Sequence, residues 1–341
     1  MTVRLDVASL PTGPRDPVLT TPARRPGSVR RTITIDQHRF APDEPQRVVG
    51  RGRDLRTRVD GTAEVVDHAD VELMVEGVAT SASVLSIRSD PDEPALQMLV
   101  GHPASKGFRA RLDDALPAHR AQARVLHQVL DDLPMALLIA SYGWSLEAEQ
   151  FELPPDAADR LRDQCSGWVS GGTMLGTLGE TGIFPIPPGM EAEGLGPTAE
   201  DPLAWHELPD LPPRSTRRRR RLDLIPGDGP DAPLELDVHF RDSHRDAQGV
   251  EHALHEYTAS ATLEPGTLVV RSCTAVARVL PWPECPGSLA SAARVVGDPV
   301  SALRSKVAVR FTGTSTCTHL NDLLRSMSSA TALAAALEEG A

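Results

Sequence analysis

The sequence predicts an α+β protein built from two antiparallel-sheet-plus-helix halves joined by a Pro/Gly-rich linker. Three observations carry this. The chain has 341 residues, more than one domain usually holds, and 40% of them are hydrophobic, enough to bury real cores. Runs of β-prone residues cluster near 30–87 and again near 234–279, and each cluster gives way to helical periodicity. Between them, much of the chain's content of 30 Pro and 26 Gly breaks up regular structure.

Residues 1–29 carry Pro, Thr and Arg without periodicity and read as a disordered arm. The N-terminal α+β domain, 30–150, opens with RRTITI and LRTRVDGTAEVVD, where Asp60-Gly61 between two β-prone runs signals a hairpin. From Pro94 the pattern turns helical: one segment stops at Gly101, and AHRAQARVLHQVLDDL ends before Pro134. Residues 151–233 read as a Pro/Gly/Arg-rich linker with local structure. Their glycines, 171, 172, 176, 179 and 182, follow no strand and precede no GK[ST], so they make no phosphate loop.

The C-terminal α+β domain, 234–341, begins with two strands turning near Asp246 to Gly249, and Glu264-Pro265-Gly266 leads into a third. SLASAARVV, stopped by Gly297, reads as a short helix and KVAVRFT as a strand. Leu320, Leu323, Leu324 and Met327 mark the apolar face of a last helix. LVGHPAS at 99–105 and VVGDPVS at 295–301 agree at four of seven positions and follow similar elements, which points to an internal duplication.

Charge and cysteine content bound the function. A formal net charge of −12 argues against nucleic acid as a partner, and no apolar run approaches the roughly 18 residues of a membrane span. The N-terminus lacks the apolar core of a signal peptide, so a cytoplasmic location is expected. Four Cys in this length cannot form a disulfide scaffold, which leaves free thiols, ligands or nucleophiles. The run Arg217 to Arg221 reads as a solvated, acid-paired stretch of the linker. The oligomeric state stays open.

Two constellations could do chemistry. In TSTCTHLNDLLRSM, Thr318 is the expected N-cap, which places Cys317 just outside a helix N-terminus, His319 in its first turn and Asp322 one turn on. The helix dipole would favour a thiolate at Cys317, the setting of a nucleophile or a metal ligand. Cys285, in PWPECPG, also precedes a helix, so Cys285, Cys317 and His319 form an alternative ligand set for zinc or iron. Cys273 reads as core. The second constellation is HFRDSHRDAQGVEHALHEY, with His239, Asp242, His244, His252, His255 and Glu256. Alternation about the turn puts His239 near Glu256, Asp242 with His244, and His252 with Glu256 opposite His255, so the six cannot make one site.

The strand pair, PWPECPG, the helix stopped at Gly297 and CTHL at Cys317–Leu320 together resemble the bacterial domain-of-unknown-function family numbered 2889, best from about Leu234 to Leu333. RRTITI and GRDLRTRVDG look like that family's N-terminal region. The resemblance implies a domain and directs attention to Cys285, Cys317 and His319, but it implies no reaction. The order of strands, Cys, helix and Cys-His is also similar to iron–sulfur cluster scaffolds, although their GCG-type loop is missing.

Three function classes fit these residues. The first is an enzyme of acyl-transfer or thioester-hydrolysis type acting on a small-molecule substrate, with Cys317 as nucleophile and His319 or a hairpin His as base. The second is a zinc, iron or cluster-handling module. The third is a binding module in which Cys and His are structural.

Overall fold

The computed structural model describes residues 9–38, 44–77, 82–146, 157–192, 195–229 and 231–339. It is an α+β protein with a nine-stranded, wholly antiparallel sheet. The first meander comprises β1 (Ser28–His38), β2 (Gln46–Thr57), β3 (Ala63–Glu76) and β4 (Ser83–Asp90). A second comprises β6 (Ser215–Ile225), β7 (Leu234–Arg245), β8 (Glu251–Leu263) and β9 (Val270–Val279). The short β5 (Met190–Glu191) pairs with the start of β8. The order is β4-β3-β2-β1-β6-β7-β8-β5, with β9 also on β8, so the two meanders join through the central β1–β6 pair.

β6 corrects the linker expectation. Arg217 to Arg221 are neither solvated nor in a linker; they lie in the middle of the sheet and are buried. Alternation sends them to both faces, and each meets an acid. On one face, Arg217 donates to Asp36 at 2.6 Å, Arg219 to Glu251, and Arg221 to Asp237 at 2.6 Å. On the other, Arg218 donates to Asp242 at 2.9 Å and Arg220 to Asp132 at 2.7 Å. Burying five guanidinium groups is tolerable only because their charges and fork-shaped donors are matched in this way. The acid pairing expected from the sequence is therefore real, although its setting is a core strand.

The N-terminal segment is likewise no free arm from residue 9 onward. It runs with residues 195–214 over one face of the sheet, anchored by Arg24 on Asp201 at 2.8 Å and by the Trp205 indole on Thr21 at 2.8 Å. Polar bonds to irregular backbone, such as Arg30 to the Pro22 carbonyl, replace the periodic apolar contacts that sequence reading looks for. Residues 1–8, and the expected boundary at 150/151, lie outside the described residues.

On this same face His206 is buried with both ring nitrogens engaged, at 2.9 Å from Thr32 Oγ1 and 2.9 Å from Thr34 Oγ1. Burial, then the neighbouring Arg53, Arg51 and Arg217, lowers its pKa from 6.5 to about 3. The folded state thus refuses a proton that the unfolded chain accepts below 6.5, and stability falls as pH drops from 6.5 towards 3. One such group contributes up to about 1.4 kcal/mol per pH unit. His206→Gln is therefore expected to flatten the acid limb of stability against pH in urea titrations, and an unchanged slope would contradict this.

Helices cover the opposite face. After α1 (Phe108–Ala115) and α2 (Pro117–Ala121), the long α3 (Val125–Ser145) crosses the first meander and the β6–β7 region. It passes through Pro134, where the sequence pattern predicted its end. Leu133, Met135, Ala136, Leu137, Ile139 and Ala140 are all buried beyond or beside the proline, and their packing outweighs roughly 3 kcal/mol for the lost hydrogen bond. Its close approach uses Gly52, where a Cβ would stand 2.5 Å from Val125. Two short helices, α4 (Ala157–Leu161) and α5 (Thr173–Thr181), occupy the segment read as linker.

Beyond β9 come a 3-10 helix (Cys285–Val295), α6 (Val300–Arg310), α7 (Thr318–Ser326) and α8 (Ala330–Glu338). KVAVRFT, expected as a strand, forms the end of α6 and the two residues after it; Val307 is buried while Val309 is 78% exposed, a helical rather than a sheet pattern of burial.

The two meanders share details. Gly101 and Gly297 both have positive φ. Val84 N donates to His102 O while Gly101 N donates to Val84 O; Val270 N donates to Asp298 O while Gly297 N donates to Val270 O. Arg30 donates to Asp223 while Arg217 donates to Asp36. Asp54 faces Asp67 across β2–β3 beside a bulge, and Asp242 faces His255 across β7–β8 beside another.

Candidate functional site

The β7–β8 hairpin turns where the sequence places it, with Gly249 N donating to Asp246 O. Near the turn the register pairs Ser243 with Ala253; past the bulge it pairs Asp242 with His255. The extra residue, Leu254, thereby brings His255 onto the helix-covered face beside Asp242, where an unbroken ladder would have put Leu254. A third group arrives from α7, whose N-cap is Cys317, one residue before the expected Thr318, with His319 in the first turn.

Asp242, His255 and His319 each offer one ligand atom within 4.8 Å of the others, the one such His/Cys/Asp/Glu group of three or more among the described residues. The two imidazoles lie nearly parallel, with centroids 3.8 Å apart and planes at 14°. Tyr142 meets His255 edge-on at 5.7 Å, and Phe240 stacks over His319 at 6.5 Å. Arg218 donates to both oxygens of Asp242, at 2.9 and 3.0 Å.

Burial sets the protonation of these groups. It pulls His255 well below its usual value, helped by His319 and Arg218, and lowers His319 to about 3, with Arg218 adding to the effect. Both imidazoles are neutral, the form that binds metals. Burial raises Asp242 to about 6 against the pull of Arg218. His255 Nδ1 and His319 Nε2 are buried with no hydrogen-bond partner among the described residues.

The other predicted site residues go elsewhere. Asp322, expected beside Cys317, accepts from Arg218, from Arg220 at 2.6 Å and from Arg109 at 3.0 Å, so it anchors α7 to the sheet. His239 pairs with Glu256 at 2.7 Å on the opposite face, as expected, and Arg241 completes that cluster. His252 sits at the turn on Asp246 at 3.0 Å. His244 is buried against Gly143 of α3, where a Cβ would lie 3.1 Å from its Nδ1.

The thiols are less acidic than usual, with Cys285 and Cys317 buried and Cys165 half-buried. Burial raises Cys317, partly offset by the Tyr257 hydroxyl, the backbone N–H groups of Leu320 and His319, and Ser288. It raises Cys285 well above the ordinary range, with Cys317 as a contributing neighbour. Cys165, which sequence reasoning overlooked, is raised to about 11 by burial and by the same neighbour. The group that converges is thus Asp242, His255 and His319; among the described residues Cys285 and Cys317 form no such group with His319. Cys317 Sγ nonetheless lies 3.9 Å from His319 Nδ1.

Between α7, α6 and α1 a cleft of about 500 Å³ is lined by Thr318, Asn321, Asp322, Arg325, Arg109 and Phe311, among others. No described helix is long and apolar enough to cross a membrane.

Comparison with curated proteins gives no match, and neither does comparison with solved structures. Residues 216–333, from the second residue of β6 to the first turn of α8 and with all three converging side chains, match the family described as Protein of unknown function (DUF2889).

Proposed function

We propose that this protein holds a single divalent transition metal, zinc or iron(II), through Asp242, His255 and His319, and uses it for metal-assisted chemistry on a small molecule. The observation that carries this reading is the pair of orphaned imidazole nitrogens beside a buried carboxylate. An unpartnered buried polar atom costs about 1–3 kcal/mol, and a cation held by the two imidazoles that carry such atoms, each with a ligand atom within 4.8 Å of an Asp242 carboxylate oxygen, would account for them. Two His and one carboxylate leave coordination positions open for water or substrate, the pattern of reactive rather than purely structural sites. Elemental mass spectrometry of the purified chain, loaded with zinc or iron(II) and desalted, is expected to give one metal per chain, and none for His319→Ala. A metal-free wild-type protein would overturn the reading.

Comparison of the meanders adds support, and we propose that they are copies of one unit. In the first, Asp54 is closed by Arg31 at 2.7 Å, and Asp67 caps α3 by accepting from Val125 N at 2.9 Å. The corresponding pair in the second is Asp242 and His255, which forgoes that cap and leaves the His255 Nδ1 without a hydrogen-bond partner among the described residues. The C-terminal copy has given up a satisfied polar arrangement, as a functional site does. A crystal structure in which the two Gly-turn segments failed to superpose together with their flanking strands would remove this argument.

The 3.9 Å contact between Cys317 and His319 favours a second reading, acyl transfer through a Cys317 nucleophile. Burial and the raised thiol oppose it. Iodoacetamide is accordingly expected to label Cys317 slowly in the folded protein at neutral pH; rapid, selective labelling would restore the nucleophile.

A further inference from the structure

We infer that Cys317 is a positioning residue of the metal centre: its sulfur accepts the Nδ1 proton of His319, so that Nε2 is the nitrogen whose lone pair is left for the metal. The inference rests on the metal reading above and assigns the thiol a place in it that is neither nucleophile nor ligand. An imidazole in the neutral form has one N–H and one lone pair, and whichever nitrogen finds an acceptor fixes which remains for a metal. At His319 the two nitrogens are sharply different. Nδ1 has sulfur at 3.9 Å, whereas Nε2 is buried with no partner among the described residues.

The backbone makes this contact local. Cys317 is the N-cap of α7 with extended φ of −133° and ψ of 132°, and His319 follows two residues later in the first helical turn, so the side chain ahead of the helix meets the ring in it. The turn is held from outside. Ser166 N donates to Thr316 O at 2.9 Å, and Ser166 Oγ and Ser288 Oγ both donate to the Cys285 carbonyl, at 3.0 and 2.9 Å. Cys317 is only 4% exposed, which keeps water from competing for Nδ1. Its sulfur does not join the three atoms that converge.

The test uses cobalt(II) as probe with the full chain, measuring affinity by competition with a chromophoric chelator and recording the electronic spectrum. Cys317→Ala is expected to weaken cobalt binding about 10- to 100-fold, the range for loss of an outer hydrogen-bond partner of a ligating histidine. Cys317→Ser, whose hydroxyl also accepts from Nδ1, is expected to recover most of that loss. Wild-type protein should show ligand-field bands without a thiolate-to-cobalt charge-transfer band. Unchanged affinity in folded Cys317→Ala, verified by circular dichroism, would overturn the inference while leaving the metal reading intact. So would a charge-transfer band that vanishes in that variant, because the sulfur would then be a ligand. Wild-type protein that takes up no cobalt would overturn the metal reading itself, and this inference with it.

Discussion

Arg220→Ala is expected to destabilise the folded protein by about 3–5 kcal/mol, the cost of breaking a buried ion pair by removing one partner. Arg220 is fully buried on the helix face of β6 and donates to Asp132 of α3 at 2.7 Å, to Asp322 of α7 at 2.6 Å and to Ser326 at 2.7 Å. It ties both helices to the same strand. Without it Asp132 keeps, among the described residues, a hydrogen bond from Gln128 at 2.9 Å and the Arg218 guanidinium at 3.8 Å, while Asp322 retains Arg218 and Arg109. Lysine cannot reproduce the three-way fork, so Arg220→Lys should recover only part of the loss. Urea unfolding followed by circular dichroism measures the effect, and a loss below about 1 kcal/mol would show that the pairs are replaceable by water.

His255→Leu is expected to abolish metal binding and yet leave the metal-free protein as stable as before, or more stable by about 1 kcal/mol. The substitution removes an orphaned buried nitrogen and keeps most of the volume between Tyr142 and the His319 ring. The ring contacts it forfeits are worth about 0.5–1.5 kcal/mol, comparable to what removing the unpaired polar atom returns. Opposite responses of binding and stability mark a residue retained for function at a cost to the fold. Thermal unfolding with and without added zinc separates the two: wild type should gain stability with zinc and the variant should not. A variant that is strongly destabilised without metal would make His255 an ordinary core residue.

The sequence is most informative at its turns. Asp60-Gly61, the Asp246–Gly249 turn and the Gly297 stop all lie where local rules place them, with Gly61, Gly249 and Gly297 at positive φ. The CTHL segment was recognisable as a helix start, off by one residue at its cap. Besides the helix that runs through Pro134 and the helical KVAVRFT, two features of the site's surroundings defeat local reading for identifiable reasons. The Arg217 to Arg221 strand breaks the rule that arginine runs are solvated, because its acids come from as far away as Asp36 and Asp132, a matching invisible along the chain. The pairing of Asp242 with His255 depends on the bulge at Leu254, which shifts the register within a hairpin whose turn was placed correctly. A bulge carries no composition signal, so alternation alone puts His255 on a face without Asp242, and local reading joins His319 instead to Cys285 and Cys317, which share only a position before a helix.

The most direct measurement is anomalous diffraction at the metal absorption edge from crystals of the zinc- or iron(II)-loaded chain. The account predicts one strong peak roughly 2.0–2.2 Å from a ring nitrogen of each of His255 and His319 and from an Asp242 carboxylate oxygen. A peak centred instead on Cys285 and Cys317, or no peak within reach of these three side chains in metal-loaded crystals, would contradict it.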